Sequence, residues 1–251
     1  MRYFSFAFMT VNPMSPRNLA TIRSAGLLAV LVLSASGMQA QPTDAQLRTD
    51  WANLARYGAE NAALGPAGPE RVVFMGNSIT EAWARYFPAH FPGKEYIGRG
   101  ISGQTTPQML VRFRQDVVAL RPRVVVILAG TNDIAGNTGP STVEMIQDNI
   151  ASMAEIATAN GIRVVLASVL PVDDYPWRRG LEPAPKIIAL NAWMRRYAAD
   201  HGAVYLDFHS AMKNERNGTR VELASDGVHP NESGYRLMAP LTESAIAAAL
   251  R

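Results

Sequence analysis

The chain has 251 residues, 48% of them hydrophobic and 18% charged, and it contains no cysteine. This composition is too apolar for a disordered segment and too mixed for a multi-span membrane protein, which leaves one soluble domain able to bury a core without disulfides. Thiol nucleophiles, zinc–cysteine sites, iron–sulfur clusters and lipid attachment at an N-terminal cysteine are excluded, and the formal charge of +3 is carried by the first 40 residues.

Residues 1–40 contain Arg2, Arg17 and Arg23, no acidic residue, and an apolar run over 25–35 that is too short to span a bilayer. Small residues follow, up to Ala40. A basic region, a short apolar stretch and small residues predict a secretory signal peptide over 1–40, hence a secreted or periplasmic chain of residues 41–251 with no stable membrane insertion after cleavage. Gly37 offers a second cleavage point and Met14 a second start. Residues 41–251 hold 21 basic and 21 acidic side chains and no Lys/Arg run of the kind that tracks phosphates, so nucleic acid is not an expected partner.

A helix is expected over 43–64, ended by Gly65-Pro66-Ala67-Gly68-Pro69. Short apolar runs then alternate with helical patterns. The runs cover 71–75, 95–98 (the weakest), 123–130, 163–170 and 203–208, and their Val and Ile content suits strands buried on both faces. One helix begins at Thr106-Pro107 and carries Leu110, Phe113, Val117 and Leu120 on one side. The next covers 141–160, with Val143, Ile146, Ile150, Met153 and Ala157 on its inner face, a capping box of Ser141 and Glu144, and a stop at Asn160-Gly161. Two more are expected over 185–200, lined by Ile187, Leu190, Met194 and Tyr197, and over 233–250, kinked at Pro240. This alternation predicts an α/β fold, a three-layer α/β/α flavodoxin-like sandwich around a central parallel sheet of about five strands. Ligands of such sheets bind beyond the carboxyl ends of the strands, so the residues there are the ones to inspect.

After the first strand, Gly76-Asn77-Ser78-Ile79-Thr80 places a candidate nucleophile, Ser78, where a helix begins; its plainer role would be to cap that helix. Thr80 stands where a Gly-x-Ser-x-Gly elbow needs glycine, and the segment is too short and too poor in glycine for a nucleotide-binding P-loop. The weak second strand leads into a turn over 98–106, Gly-Arg-Gly-Ile-Ser-Gly-Gln-Thr-Thr, that lets backbone approach a ligand. Gly130-Thr131-Asn132-Asp133 puts a neutral amide donor at the same rim, suited to a developing oxyanion. Near the end, Ser225-Asp226-Gly227-Val228-His229-Pro230 offers a carboxylate that can fix the tautomer of an imidazole three residues on. Of the other histidines, His90 and His201 read as structural, while His209, behind Asp207, competes with His229 for the role of base. Asp173-Asp174 reads as a solvated loop rather than a metal site.

With these segments in this order, residues 71–235 resemble the SGNH hydrolases, also called the GDSL esterase/lipase family. The resemblance makes Ser78 the nucleophile, Asp226 and His229 its partners, and Ser78, Gly103 and Asn132 the oxyanion hole. Two positions depart from the family: Asn77 stands where Asp is more frequent, and Gly98 precedes Gly100 at a place that often holds Asn. The 79–83 continuation, Ile-Thr-Glu-Ala-Trp, looks more like carbohydrate acetylesterases and platelet-activating-factor acetylhydrolases than long-chain lipases. The implied activity is hydrolysis of acetyl or other short acyl esters through an acyl-enzyme, on a small ester or an acetylated glycan, with neither metal nor organic cofactor expected. A lysophospholipase or arylesterase, or an idle glycan-binding domain, are the alternatives. The loop over 171–185 carries Trp177, Arg178 and Arg179 as candidate substrate contacts.

Overall fold

The computed structural model describes residues 44–251; the expected signal peptide and Thr43 lie outside them. The first segment is a pair of helices where one was expected. Helix α1 (Asp44–Thr49) stops, a 3-10 turn follows over Leu54–Tyr57, and α2 (Gly58–Ala63) resumes. The break has a local cause: Asn53 adopts a left-handed conformation (φ 53°), and the Asp50 carboxylate accepts from the amides of Leu54 and Ala55 at 2.8 and 3.0 Å. Asp50 thereby starts a second turn rather than continuing the first.

Five strands follow, β1 (Val72–Gly76), β2 (Tyr96–Gly100), β3 (Val124–Leu128), β4 (Arg163–Ala167) and β5 (Val204–Leu206), all parallel and in the spatial order β2-β1-β3-β4-β5. Between and after them lie α3 (Ser78–Trp83), α4 (Phe87–His90), α5 (Thr106–Asp116), α6 (Thr131–Ile134), α7 (Val143–Ala159), α8 (Ala184–Asp200), α9 (Phe208–Met212) and α10 (Glu232–Leu250). Alternate strand residues serve opposite cores, as the two-residue period of a strand requires. Val73, Met75, Val125, Ile127, Val164 and Leu166 pack with α5, α7 and α8. Val72, Phe74, Val124, Val126, Val165 and Ala167 pack with α3, α4, α9 and α10, where Trp83, Phe87, Phe91 and Tyr235 build an aromatic cluster around Phe74. The three-layer sandwich is therefore as expected, with five strands.

Several boundaries differ from the sequence reading for physical reasons. Thr142, not Ser141, caps α7: its backbone is extended and its side chain accepts from the Met145 amide at 3.2 Å. Strand β4 ends at Ala167 because the Asn191 side chain takes both Val169 backbone groups, at 2.8 and 2.9 Å, and pulls that residue off the sheet. Strand β2 runs on past Gly98 through Arg99 and Gly100, where the sequence reading expects a turn. The helix that starts at Thr106 is regular only to Asp116; Val117 and Leu120 are buried from the turn after it. Helix α10 continues through Pro240, which stands in its interior.

Candidate active site

The sheet order reverses at β1: the chain moves from β1 outward to β2, then returns to place β3 on the other side. A crevice at the carboxyl end of such a switch point is where α/β sheets hold ligands. The register brings three strand ends level there, Gly76 pairing with Gly100 on one side and Leu128 on the other. Ser78, Gly103 and Asn132 each lie a few residues past those ends. Gly100 has no room for a side chain, since a Cβ there would collide with the Glu81 amide and the Asn77 carbonyl.

Ser78 opens α3 without capping it. Asn77 is the cap, its side-chain oxygen accepting from the Ile79 amide at 3.1 Å, so the hydroxyl of Ser78 is left to other partners. Asn and Asp are comparable caps, so Asn77 serves this position as an Asp would. Ser78 Oγ lies 3.0 Å from His229 Nε2. His229 sits on the turn before α10, and its Nδ1 lies 2.7 Å from Asp226 Oδ2. Asp226 is itself fixed, because its Oδ1 accepts from the amides of Val228 and His229 at 2.9 and 2.7 Å. Burial alone would raise the Asp226 pKa, but the bonds from the His229 side chain and from the two amides outweigh it and hold the carboxyl at about 2. An ionised Asp226 keeps the proton of the neutral ring on Nδ1, which turns the Nε2 lone pair toward Ser78.

Gly103 adopts a left-handed backbone (φ 78°) that favours glycine, and no acceptor among the described residues takes its N–H. The Asn132 side chain is buried, and its amide nitrogen donates one hydrogen to the Gln104 carbonyl at 2.9 Å, leaving a second donor. Trp177 stands beside the relay, its ring centroid 6.0 Å from that of His229 and its Nε1 donating to Asn137 Oδ1 at 3.3 Å. The two arginines next to it are engaged elsewhere. Arg178 donates to the carbonyls of Ala135 and Gly136 at 2.7 and 2.8 Å, and Arg179 faces Asp174 at 3.9 Å from an exposed position. His209 is buried on α9 and makes no bond to Asp207, whose carboxylate caps that helix and pairs with Arg195. Burial, reinforced by Lys213, pushes the His209 pKa below the usual histidine value.

A buried frame that sequence reading missed holds these parts together. Arg112, fully buried on α5, donates to Gln104 Oε1 at 2.6 Å, to Asp116 Oδ2 at 3.1 Å and to the Gly76 carbonyl at 3.0 Å, joining the strand before Ser78 to the loop after Gly103. Asp133 accepts from the Thr106 amide through both oxygens and from the Thr106 hydroxyl at 2.6 Å, and burial pushes its carboxyl above the usual range. Tyr57 donates to the Gly100 carbonyl and has the guanidinium groups of Arg56 and Arg99 at 4.5 and 4.6 Å from its ring centroid, while burial raises its phenol pKa to about 12. Only the long-range partners reveal these roles; a lone Arg or Tyr in a helix carries no such signal in the sequence.

Comparison with known proteins identifies the family of the chain. Esterase TesA of Pseudomonas aeruginosa is 25% identical over 160 residues, covering 62% of this chain and 73% of the relative. An acetylxylan esterase of Xylanibacter ruminicola is 28% identical over 212 residues, 70% of this chain, which in turn spans only 43% of that relative's length. The crystal structure of a GDSL-like lipase from Bacteroides thetaiotaomicron is 47% identical and superposes with a TM-score of 0.77 over 80% of this chain and the whole of the other. The GDSL-like lipase/acylhydrolase family profile matches residues 65–237, so the chain belongs to that family and carries a domain of the carboxylic ester hydrolase class.

Proposed function

We propose that the protein is a serine esterase that removes acetyl or other short acyl groups, with O-acetylated carbohydrate as its substrate. The observation that carries this reading is the unbroken Ser78–His229–Asp226 relay at the switch point of the sheet. In the proposed reaction His229 Nε2 takes the Ser78 proton as Oγ attacks the ester carbonyl. The tetrahedral adduct collapses as the alcohol leaves with that proton, and water, activated by the same imidazole, releases the carboxylic acid from Ser78. Asp226 orients the ring and stabilises its charged form. The negative oxygen of each adduct is assigned to the amides of Ser78 and Gly103 and the second Asn132 hydrogen, any one of which contributes about 3 kcal/mol to the transition state. The exposed ring of Trp177 beside His229 suits the apolar face of a sugar. The acetylxylan esterase relative supports the carbohydrate reading.

Residues 1–40 are proposed as a signal peptide, so the acting chain is 41–251, outside the cytoplasm; mass analysis of exported protein locates the cut. The test of function compares residues 41–251 with their Ser78→Ala variant on p-nitrophenyl acetate, butyrate and decanoate, then on acetylated xylo-oligosaccharides. Acetate turnover that the variant lacks, together with acetate release from the oligosaccharide, is the expected result. A preference for decanoate would move the substrate to lipids, and equal, negligible turnover by both proteins would overturn the enzyme reading in favour of a glycan-binding domain.

A further inference from the structure

We infer that Glu81 is a positioning residue that sets the distance between Ser78 and the oxyanion loop. The inference rests on the esterase reading above and deepens it. Glu81 lies one turn along α3 from Ser78, and its side chain is only 10% exposed. One of its oxygens accepts twice from the same residue across the crevice, from the Ser102 amide at 2.8 Å and the Ser102 hydroxyl at 2.5 Å. The other faces Arg56 at 3.6 Å. A solvated helix-face glutamate makes no such contacts.

The position of Ser102 gives these bonds their meaning. Its carbonyl belongs to the same peptide plane as the Gly103 N–H, so fixing its amide and hydroxyl fixes the hinge about which that plane turns and narrows the directions in which the N–H can point. Bonds to ionised acceptors are about twice as strong as neutral ones, which suits a strut. The far side of the loop is held separately, by Asn132 on the Gln104 carbonyl and by Asn137 on the Gly103 carbonyl at 3.3 Å. Glu81 is the side chain that ties the near side to the nucleophile's own helix. Without it the loop keeps its anchors beyond Gly103, at Gly100 and at Ile101, whose amide donates to the Gly76 carbonyl at 3.2 Å, but the Gly103 amide is free to turn from the reacting oxygen.

The experiment measures p-nitrophenyl acetate hydrolysis by residues 41–251 as parent, Ser78→Ala, Glu81→Ala, Glu81→Asp and Glu81→Gln. Rates are referred to active sites titrated with a p-nitrophenyl phosphonate that labels Ser78, so a misfolded fraction does not count. Glu81→Ala is expected to lower kcat about 30-fold, less than the roughly 10²- to 10³-fold loss on removing an oxyanion donor outright, with KM within about twofold of the parent. Glu81→Asp, too short to reach both Ser102 donors, is expected to lower kcat several-fold, and it carries the test should Glu81→Ala fail to fold. Glu81→Gln, which retains an acceptor oxygen at the same reach, is expected to recover most of the loss. Parental kcat in both Glu81→Ala and Glu81→Asp, or a loss expressed in KM alone, would overturn the role of Glu81 while leaving the esterase reading intact. A parent no faster than Ser78→Ala would overturn both.

Discussion

His229 is held by one carboxylate at two of its atoms, ring and backbone, and this double hold decides what each substitution at 226 should do. Asp226→Asn can still accept from the Val228 and His229 amides, but it presents no ionised acceptor to Nδ1–H. Its kcat on short esters should fall by about 10³- to 10⁴-fold with the fold preserved, as checked by steady-state kinetics and circular dichroism. The same contact makes stability depend on pH. The Asp226 carboxyl titrates at about 2 in the folded chain, against roughly 3.9 in an unfolded one, so the contact stabilises the fold above about pH 4 and ceases to do so as pH falls through 2. Urea unfolding of parent and Asp226→Asn should therefore differ at pH 6 and converge toward pH 2. The three residues of the relay were legible in the sequence because each follows a recognisable strand or turn signal. Arg178 and Arg179 show where that reading runs out: an aromatic with two cations in a loop suggests a binding surface, yet one arginine is spent on the carbonyls of Ala135 and Gly136 and the other faces Asp174.

Among the elements, α7 offers a sharp test of where a helix starts. Ser141 and Thr142 are both capping residue types, and Glu144 fits a box with the first. The backbone chose Thr142, whose oxygen meets the Met145 amide. Thr142→Ala should cost about 1 kcal/mol, some 2–4 °C in Tm, while Ser141→Ala should be nearly silent, by thermal or urea unfolding. The long helices and the two-sided strands were readable from periodicity because burial imposes it. The ends were not, since they were settled by single side chains reaching from elsewhere, such as Asn191 on Val169 or Asp50 on Leu54. Helix α5 depends on a buried ion pair for the same reason. Arg112→Met would leave the buried Asp116 without its cation, Asn61 remaining as a neutral donor, and should destabilise by about 3–5 kcal/mol, and Arg112→Met with Asp116→Leu should recover part of that in the same assay.

For the molecule as a whole, the segment before β1 is part of the structure that supports the site. Gln104, Gln108 and Gln115 donate from α5 and its preceding loop to the carbonyls of Ala52, Trp51 and Leu54 at 2.7, 2.7 and 2.6 Å. Asn61 bridges Asp116 and Arg99 at 2.7 and 2.8 Å, and Tyr57 reaches Gly100. A chain begun at residue 65 would lose the burial of Tyr57, about 2 kcal/mol, and several bonds of about 1 kcal/mol each. Its Tm should lie about 10 °C or more below that of residues 41–251, measured by calorimetry. Residue 65 is also where the family similarity begins. The border of the profile match and the border of mechanical self-sufficiency thus differ in this protein. The Ser78–His229–Asp226 relay lies inside the profile match while the brace behind it precedes that match, and a transplant of residues 65–237 alone would carry those side chains without the scaffold that keeps them in register.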